Sequence, residues 1–599
     1  MPRLLTKFLR EFHADLFEET TLPEAVAEWR EAGGGDSTGV LFFDAANLAE
    51  PMYEPADWVC GGQLQDYVQK FRAFVKKLEP LNVSCVLMYD FGHCTEKRQN
   101  WLSRKQKFLW RGRDVFREIR RGSSSSTSIE AGDRQKRCNP YFLRRLSSFL
   151  ARYDCPDFVQ TKTSFLNADQ ELASLCHEAG DNSIGCLSMD SDFFMIKEVN
   201  LLYIASDTVD DFFSSLKVYK FNRAAFCNRM QIHENLLALG ACLMGGTGVV
   251  PYDLVRPFHK KLVPNGRVCV ERYVPAMFRF IKTVMLKHNC QLTDPPSDEV
   301  VADIEDYAFD GRDAGLLKTG CQCYNVGQQY AEMAWMNCPE DLVKTIQDST
   351  FSDEVKQCYI LLFASYDGSQ LYPLEDPDDG SLNTILETFR PLRQRVYGYL
   401  LAEYPGMVRE EYCLAKGALP KEEQPERVKP AIFPVPESIP TFREMLRIGT
   451  GLSRLDRLEI CLLICDSLHE LGLEQVQAIP SKLVPTLLLL HWLRRHAPRD
   501  DDSLQMFELQ AIAVQACICA GATIEDIAGK YEEVFPLRAR IVHLASYVNV
   551  GLVNVQMALL ASAHPVRFAD ATHWNNFNGN LFGQVYEQLE GGETPRGIL

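Results

Sequence analysis

Six carboxylates stand where strands are expected to end: Asp44, Asp90, Asp169, Glu171, Asp190 and Asp192. The last four form two pairs, Asp169/Glu171 and Asp190/Asp192, inside the stretch Leu166 to Ile196. The apolar run around Ile184 to Leu187 reads as a buried strand leading into the second pair. A strand ending in Asp-x-Asp puts two carboxylates at its carboxyl end, the edge of an open α/β sheet where sites are built. Acids converging there repel one another unless a cation lies among them, and hard oxygen donors at that density suit Mg²⁺ or Mn²⁺. All six are therefore candidate metal ligands and candidate catalytic residues. A bound metal yields hydroxide near neutral pH, and a second metal ~4 Å away stabilises the leaving oxygen of a phosphodiester. Each acid taken alone has a plainer role, capping a helix or starting a turn.

A second group of residues could bind what such a site would cut. Residues 97 to 121 are basic and aromatic together, with Trp101, Trp110 and Phe116 among the cations. A run of charge is ordinarily a solvated helix face. This one is nearly one-signed, follows directly on Asp90, and lies in a chain of net charge −17. Lys97, Arg98, Arg104, Lys105, Lys107, Arg111 and Arg113 are the candidate nucleic-acid contacts. Each phosphate contact makes binding weaken as salt rises. Further basic residues follow at Arg134, Lys136, Arg137, Arg144 and Arg145, beyond a Ser-rich segment at 122–128 that reads as flexible.

The elements that must position these groups alternate. Residues 1–31 read as helices. Val40 to Phe43 is a short buried strand ending at Asp44, and Val83 to Tyr89 is another ending at Asp90. Between them, Tyr67, Phe71, Phe74 and Val75 recur at helical spacing within 62–78. Helices are expected over 140–153, 171–179 and 235–243, and strands over 157–161 and 201–206. Strand, helix, strand with short turns predicts a parallel sheet with flanking crossover helices. From about residue 270 the pattern turns helical, with helices over 272–288, 384–403, 453–471, 485–496, 504–520, 536–547 and 552–563. An acidic turn region at 367–382 and a Pro-punctuated loop near 418–441 interrupt it. The expected organisation is an α/β domain over 1–265 with a basic arch near 97–145. A helical extension and linker follow over 266–375, then a mainly α-helical C-terminal domain over 376–599.

Composition bounds the setting. A chain of 599 residues is too long for one core. Its 20 cysteines are scattered and include no Cys-x-x-Cys pair, which argues reduced thiols rather than a disulfide framework or zinc finger. The first residues are charged throughout, unlike a signal peptide, and the apolar run Leu483 to Leu493 is too short to span a bilayer. These features predict a soluble intracellular protein, cytoplasmic or nuclear or both, with no membrane partner.

The order Asp44, Asp90, Asp169-Gln-Glu171, Asp190-Ser-Asp192 resembles the flap endonuclease and XPG-type nuclease domain, a PIN-like fold. The resemblance implies that Asp44 and Asp90 are first-metal carboxylates and that the two later pairs complete the set. It also places Lys97 and Arg104 where that superfamily contacts the scissile phosphate. Within the superfamily the chain is similar to the constitutive coactivator of PPAR-gamma and coactivator-like family. Trp58-Val-Cys-Gly-Gly-Gln63, Arg390-Pro-Leu-Arg393-Gln-Arg395-Val-Tyr397 and Trp574-Asn-x-Phe577-x-Gly579-x-Leu-Phe582 carry that similarity. The chain departs from the nuclease pattern in beginning Met1-Pro2 and in carrying Thr247 where a seventh acid is kept. What the resemblance implies is RNA binding and regulation, with protein partners on the C-terminal helices and a weakened or inactive nuclease-like site. One alternative is an active Mg²⁺- or Mn²⁺-dependent endonuclease on single-stranded or branched nucleic acid. Another is a coactivator that acts through protein contacts alone.

Overall fold

The computed structural model describes residues 3–34, 38–53, 58–90, 98–130, 137–138, 143–164, 167–245, 249–263, 269–312, 314–324, 326, 339–351, 356, 359, 374–376, 378–404, 406–407, 409–411, 426–497, 503–531, 535–563 and 576–595. The chain divides into two compact units that do not follow chain order. The first comprises Met1–Pro51, Phe74–Ser103 and Cys155–Ala331, and the second Met52–Ala73, Arg104–Asp154 and Glu332–Leu599.

The first unit is built on a seven-stranded sheet. Its strands are β1 (Phe17–Thr21), β2 (Val40–Asp44), β3 (Ser84–Asp90), β4 (Val159–Ser164), β5 (Ser183–Ser188), β6 (Leu201–Tyr203) and β7 (Lys217–Phe221), in the order β1-β7-β6-β5-β2-β3-β4. The central strands β6-β5-β2-β3-β4 are mutually parallel. They are apolar because both faces are covered, as in the VLFF run of β2 and the CVLM run of β3. In β5, Gly185 is required: a Cβ there would lie 2.9 Å from the Leu202 side chain of the adjacent strand.

The all-parallel expectation is corrected at one edge. β7 runs antiparallel to β6, and β1 antiparallel to β7. Residues 17–21, read as helical, form the edge strand Phe-Glu-Glu-Thr-Thr. Its charges suit an edge, where unpaired backbone must be kept from other chains, and they conceal it from a search for apolar runs.

Strand order places the site. From β2 the chain moves to β3 and β4 on one side, then returns to β5 and β6 on the other. The boundary between β2 and β5 is thus the topological switch point, where a crevice opens outside the carboxyl ends of the strands. Register aligns those ends: Phe43 pairs with Leu187, and Asp90 with Ser164.

The second unit is helical apart from a small hairpin, Arg409–Glu411 with Glu426–Val428. Its long helices include Ile385–Leu400, Val484–His496, Met506–Gly521, Ala539–Ala561 and Gly579–Glu590. The two helices expected over 536–563 are one helix, Ala539–Ala561. Gly551 does not break it; a Cβ there would meet Leu489 at 2.3 Å and Phe389 at 2.7 Å, so the glycine lets helices approach. This helix is long and apolar enough to cross a membrane, but 89% of its most apolar window is buried within the protein. The Ser-rich segment is also corrected: Ser126–Glu130 is a helical turn, with the Ser125 and Ser128 side chains each accepting the other's backbone N–H.

Candidate metal centre

Parallel strands deliver three of the six acids to one point. Asp169 lies in the first turn of helix Ala168–Glu178, which follows β4. Asp190 and Asp192 follow β5, where the Asp190 carboxylate caps a short turn by accepting the Asp192 backbone N–H at 3.1 Å. One oxygen from each of Asp169, Asp190 and Asp192 lies within 4.8 Å of the others. Asp190 is buried, and burial followed by the charges of Asp192 and Asp169 pushes its carboxyl up to about 7. Among the described residues, no lysine or arginine forms an ion pair with Asp190 or Asp192.

The other acids are placed differently. Asp44, at the end of β2, is buried and accepts hydrogen bonds from Ser188 Oγ at 2.7 Å and from the Asn47 side chain. Ser188 thereby ties β5 to β2 across the switch point, and its Oγ also accepts the Asp190 N–H at 2.9 Å. Glu171 is not one of the trio and accepts from Ser164 Oγ at 2.8 Å. Burial pushes the Glu171 carboxyl up to about 7 against that hydrogen bond, and the charge of Asp90 adds to the rise. Asp90 keeps a buried Oδ1 with no hydrogen-bond partner among the described residues. The expected six-acid cluster is therefore a converging trio, with Asp44 held by Ser188 and Asn47 and Glu171 held by Ser164.

Sequence reasoning missed Tyr324. Its hydroxyl donates to Asp192 Oδ1 at 3.0 Å, and its ring is buried. Nearby, Gln170 Nε2 donates to the Gln322 carbonyl at 3.1 Å. No local signal marks Tyr324, which comes 132 residues after its partner. Ser188 was findable, because strand pairing sets it beside the end of β2.

The donor set fits a hard divalent cation. All three groups are carboxylates, and a buried Asp190 with no lysine or arginine paired to it among the described residues is costly unless it is protonated or metal-bound. Asp169, Asp190 and Asp192 would hold the ion, and a Mg²⁺ or Mn²⁺ there would supply Lewis acidity and a water of lowered pKa.

The basic helix is Arg98–Arg120. Lys97 and Thr247 lie outside the described residues, as do the side chains of Arg98, Arg104 and Lys105. Of the remaining candidates, Lys107 is exposed and Arg111 half-buried. The Arg113 guanidinium lies 5.5 Å from the ring centroid of Trp110, which is 46% exposed. Val115, Phe116 and Ile119 bury the opposite face in the second unit, and Arg120 pairs with Asp376 and Asp378.

The three distant motifs are structural in the second unit. A Cβ on Gly62 would lie 2.7 Å from the Gly579 nitrogen, and Asn578 Nδ2 donates to Gln65 Oε1 at 3.0 Å, so the first and last motifs pack together. Trp574 lies outside the described residues. Arg393 is fully buried and donates to Asn554 Oδ1 at 3.3 Å and to the Leu386 carbonyl at 3.1 Å, sealing helix against helix within one unit.

No family model matches the chain. It is 23% identical over 666 aligned residues to the constitutive coactivator of peroxisome proliferator-activated receptor gamma of Bos taurus, covering 96% of this chain and 89% of that protein. The proteins of the same name from Mus musculus and Homo sapiens are 29% and 27% identical over 38% of this chain, which spans 28% and 24% of their length. Among solved structures, the catalytic core of Rad2 in complex with a DNA substrate is 13% identical, with 51% of this chain and 84% of that chain covered and a TM-score of 0.27. A further structure of the Rad2 catalytic core is 11% identical over 55% of this chain and 80% of that chain, with a TM-score of 0.26.

Proposed function

We propose that this chain, a relative of the constitutive coactivator of PPAR-gamma, is a nucleic-acid-binding regulatory protein that keeps a divalent-cation site at its sheet edge. The observation that carries the reading is the convergence of Asp169, Asp190 and Asp192 within 4.8 Å at the carboxyl ends of parallel strands. The cation serves to hold phosphate more than to drive turnover. Two-metal hydrolysis needs a second set of ligands, and here Glu171 is committed to Ser164. RNA is the favoured ligand. Lys107, Trp110 and Arg113 recur every third residue along one helix, and an exposed aromatic ring among cations is a platform on which unpaired bases stack. The helices of the second unit serve protein partners, in line with the coactivator name of the relatives and a nuclear role.

An active endonuclease is the second reading, favoured by the same trio. One experiment separates the two. The full chain and its Asp190→Asn/Asp192→Asn variant are incubated with labelled single-stranded RNA, single-stranded DNA and flap DNA in Mg²⁺ or Mn²⁺, scoring binding and cleavage together. RNA binding with little or no cleavage is expected. Cleavage that disappears in the double variant establishes the endonuclease, and absence of binding to every substrate overturns the regulatory reading.

A further inference from the structure

Beside the acid trio, two thiols face each other across a helix contact. Cys242 lies in helix Leu237–Met244 and is fully buried; Cys321 lies in helix Leu316–Gln322 and is partly accessible. Their sulfurs are 3.9 Å apart. The approach is close because residue 320 is glycine: a Cβ there would stand 2.9 Å from Cys242 Sγ and 3.1 Å from Val250. Cys323 has its sulfur turned to the Thr319 carbonyl of its own helix, at 3.7 Å. The short segment that carries Cys321 also delivers Gln322 to Gln170 and Tyr324 to Asp192. One covalent bond at Cys321 would therefore fix the whole segment against the site.

We propose that Cys242 and Cys321 are a reversible disulfide pair that, when oxidised, latches Tyr324 onto Asp192. The oxidant is a hydroperoxide. The Cys321 thiolate attacks the peroxide oxygen, giving a sulfenic acid and releasing an alcohol or water. Cys242 then attacks the Cys321 sulfur, the S–S bond forms, and hydroxide leaves to take up the thiol proton as water. Two thiols lose two electrons and the peroxide gains them; a dithiol reverses the bond by exchange. The partly accessible Cys321 is the residue that meets peroxide first, and the buried Cys242 resolves it. With the bond closed, Tyr324 keeps its hydroxyl on Asp192 and competes with a cation for that carboxylate. This last consequence rests on the cation reading proposed above; the disulfide does not.

The test uses the full chain, reduced and then treated with hydrogen peroxide. Peptide mapping without reduction is expected to show one new cross-linked peptide joining Cys242 to Cys321. It should be lost on adding dithiothreitol, absent from Cys321→Ser, and retained in Cys323→Ser. Amide exchange over residues 316–324 should slow at least tenfold in the oxidised protein, and Mn²⁺ should bind more weakly than to the reduced form. Free, alkylatable thiols at both positions after peroxide overturn the proposal, as does a cross-link made to Cys323 instead. A Cys242–Cys321 bond with unchanged Mn²⁺ affinity overturns the latch. Mn²⁺ binding absent from both forms overturns the cation reading and leaves the disulfide standing on the peptide map.

Discussion

Both units bury carboxylates, and two groups of them, one in each unit, are treated oppositely. Among the described residues of the helical unit, the buried acids Asp376 and Glu508 each meet a cation. Arg120 holds Asp376, and Arg540 spans Asp379 at 3.2 Å and Glu508 at 2.8 Å. Although burial works to raise the Asp379 carboxyl, hydrogen bonds from His543 and Ser381 carry it far below the usual carboxylate range. In the sheet unit, Asp190 faces two more acids and is pushed up to about 7. The first arrangement is what a fold uses to tie helices together. The second costs stability and is tolerated where a group is kept for something that arrives from outside. The difference fits the proposed function, in which one set of acids is structural and the other holds a cation.

Breaking the comparison on the helical side has the largest effect. Arg540→Met strips the cation from buried Glu508 and takes one partner from half-buried Asp379, and should cost ~3–5 kcal/mol, read as a fall in the denaturant midpoint. A variant that is as stable as wild type would show that this network does not hold the unit. On the sheet side the sign reverses. Asp190→Asn removes a buried like charge and should stabilise the metal-free protein by ~1–3 kcal/mol at pH above its titration. A loss of stability of that size would mean the trio is structural after all.

The pH dependence sharpens the same contrast. Asp190 and Glu171 both titrate near 7 in the folded protein, well above an ordinary carboxyl. The folded state therefore holds extra protons between the normal carboxylate range and about 7. Their contribution is fully present below the unfolded pKa and is lost as pH rises through the folded one. Metal-free Tm should accordingly fall between pH ~4 and ~7. The fall should be smaller in Asp190→Asn, and the rise in Tm on adding Mn²⁺ should grow over the same interval. A Tm difference between the two proteins that does not change with pH would contradict this. The smallest effect is expected at the basic helix. Charge reversal at Lys107, Arg111 and Arg113 should weaken RNA binding and lower the salt slope by ~0.7 per lost phosphate contact. Titration across salt concentrations checks it, and an unchanged slope removes that face from the interface.

What could be read in the sequence follows from what each element buries. β2, β3 and β5 are covered on both faces, so they appear as apolar runs, and their Asp-bearing ends were visible. β1 is a polar edge strand and β7, beside it, is little more apolar, and Glu18, Glu19 and Lys220 leave no alternation to find. The helix Ala539–Ala561 was read as two, over 536–547 and 552–563, and Gly551, which permits close packing, lies in the gap between them. The six acids were legible as a set. Which of them meet was not, since that depends on side-chain direction: Asp169 and Glu171 are two residues apart at the start of one helix and point to different partners. Tyr324 was invisible because only tertiary packing brings it to Asp192.

The central claim is that Asp169, Asp190 and Asp192 hold a divalent cation. Electron paramagnetic resonance of Mn²⁺ titrated into the wild-type chain and Asp190→Asn/Asp192→Asn at pH ~8 tests it most directly, because both raised carboxyls are then ionised. The account predicts that the free Mn²⁺ signal is quenched by wild type and not by the double variant. Equal quenching by both, or by neither, would contradict it.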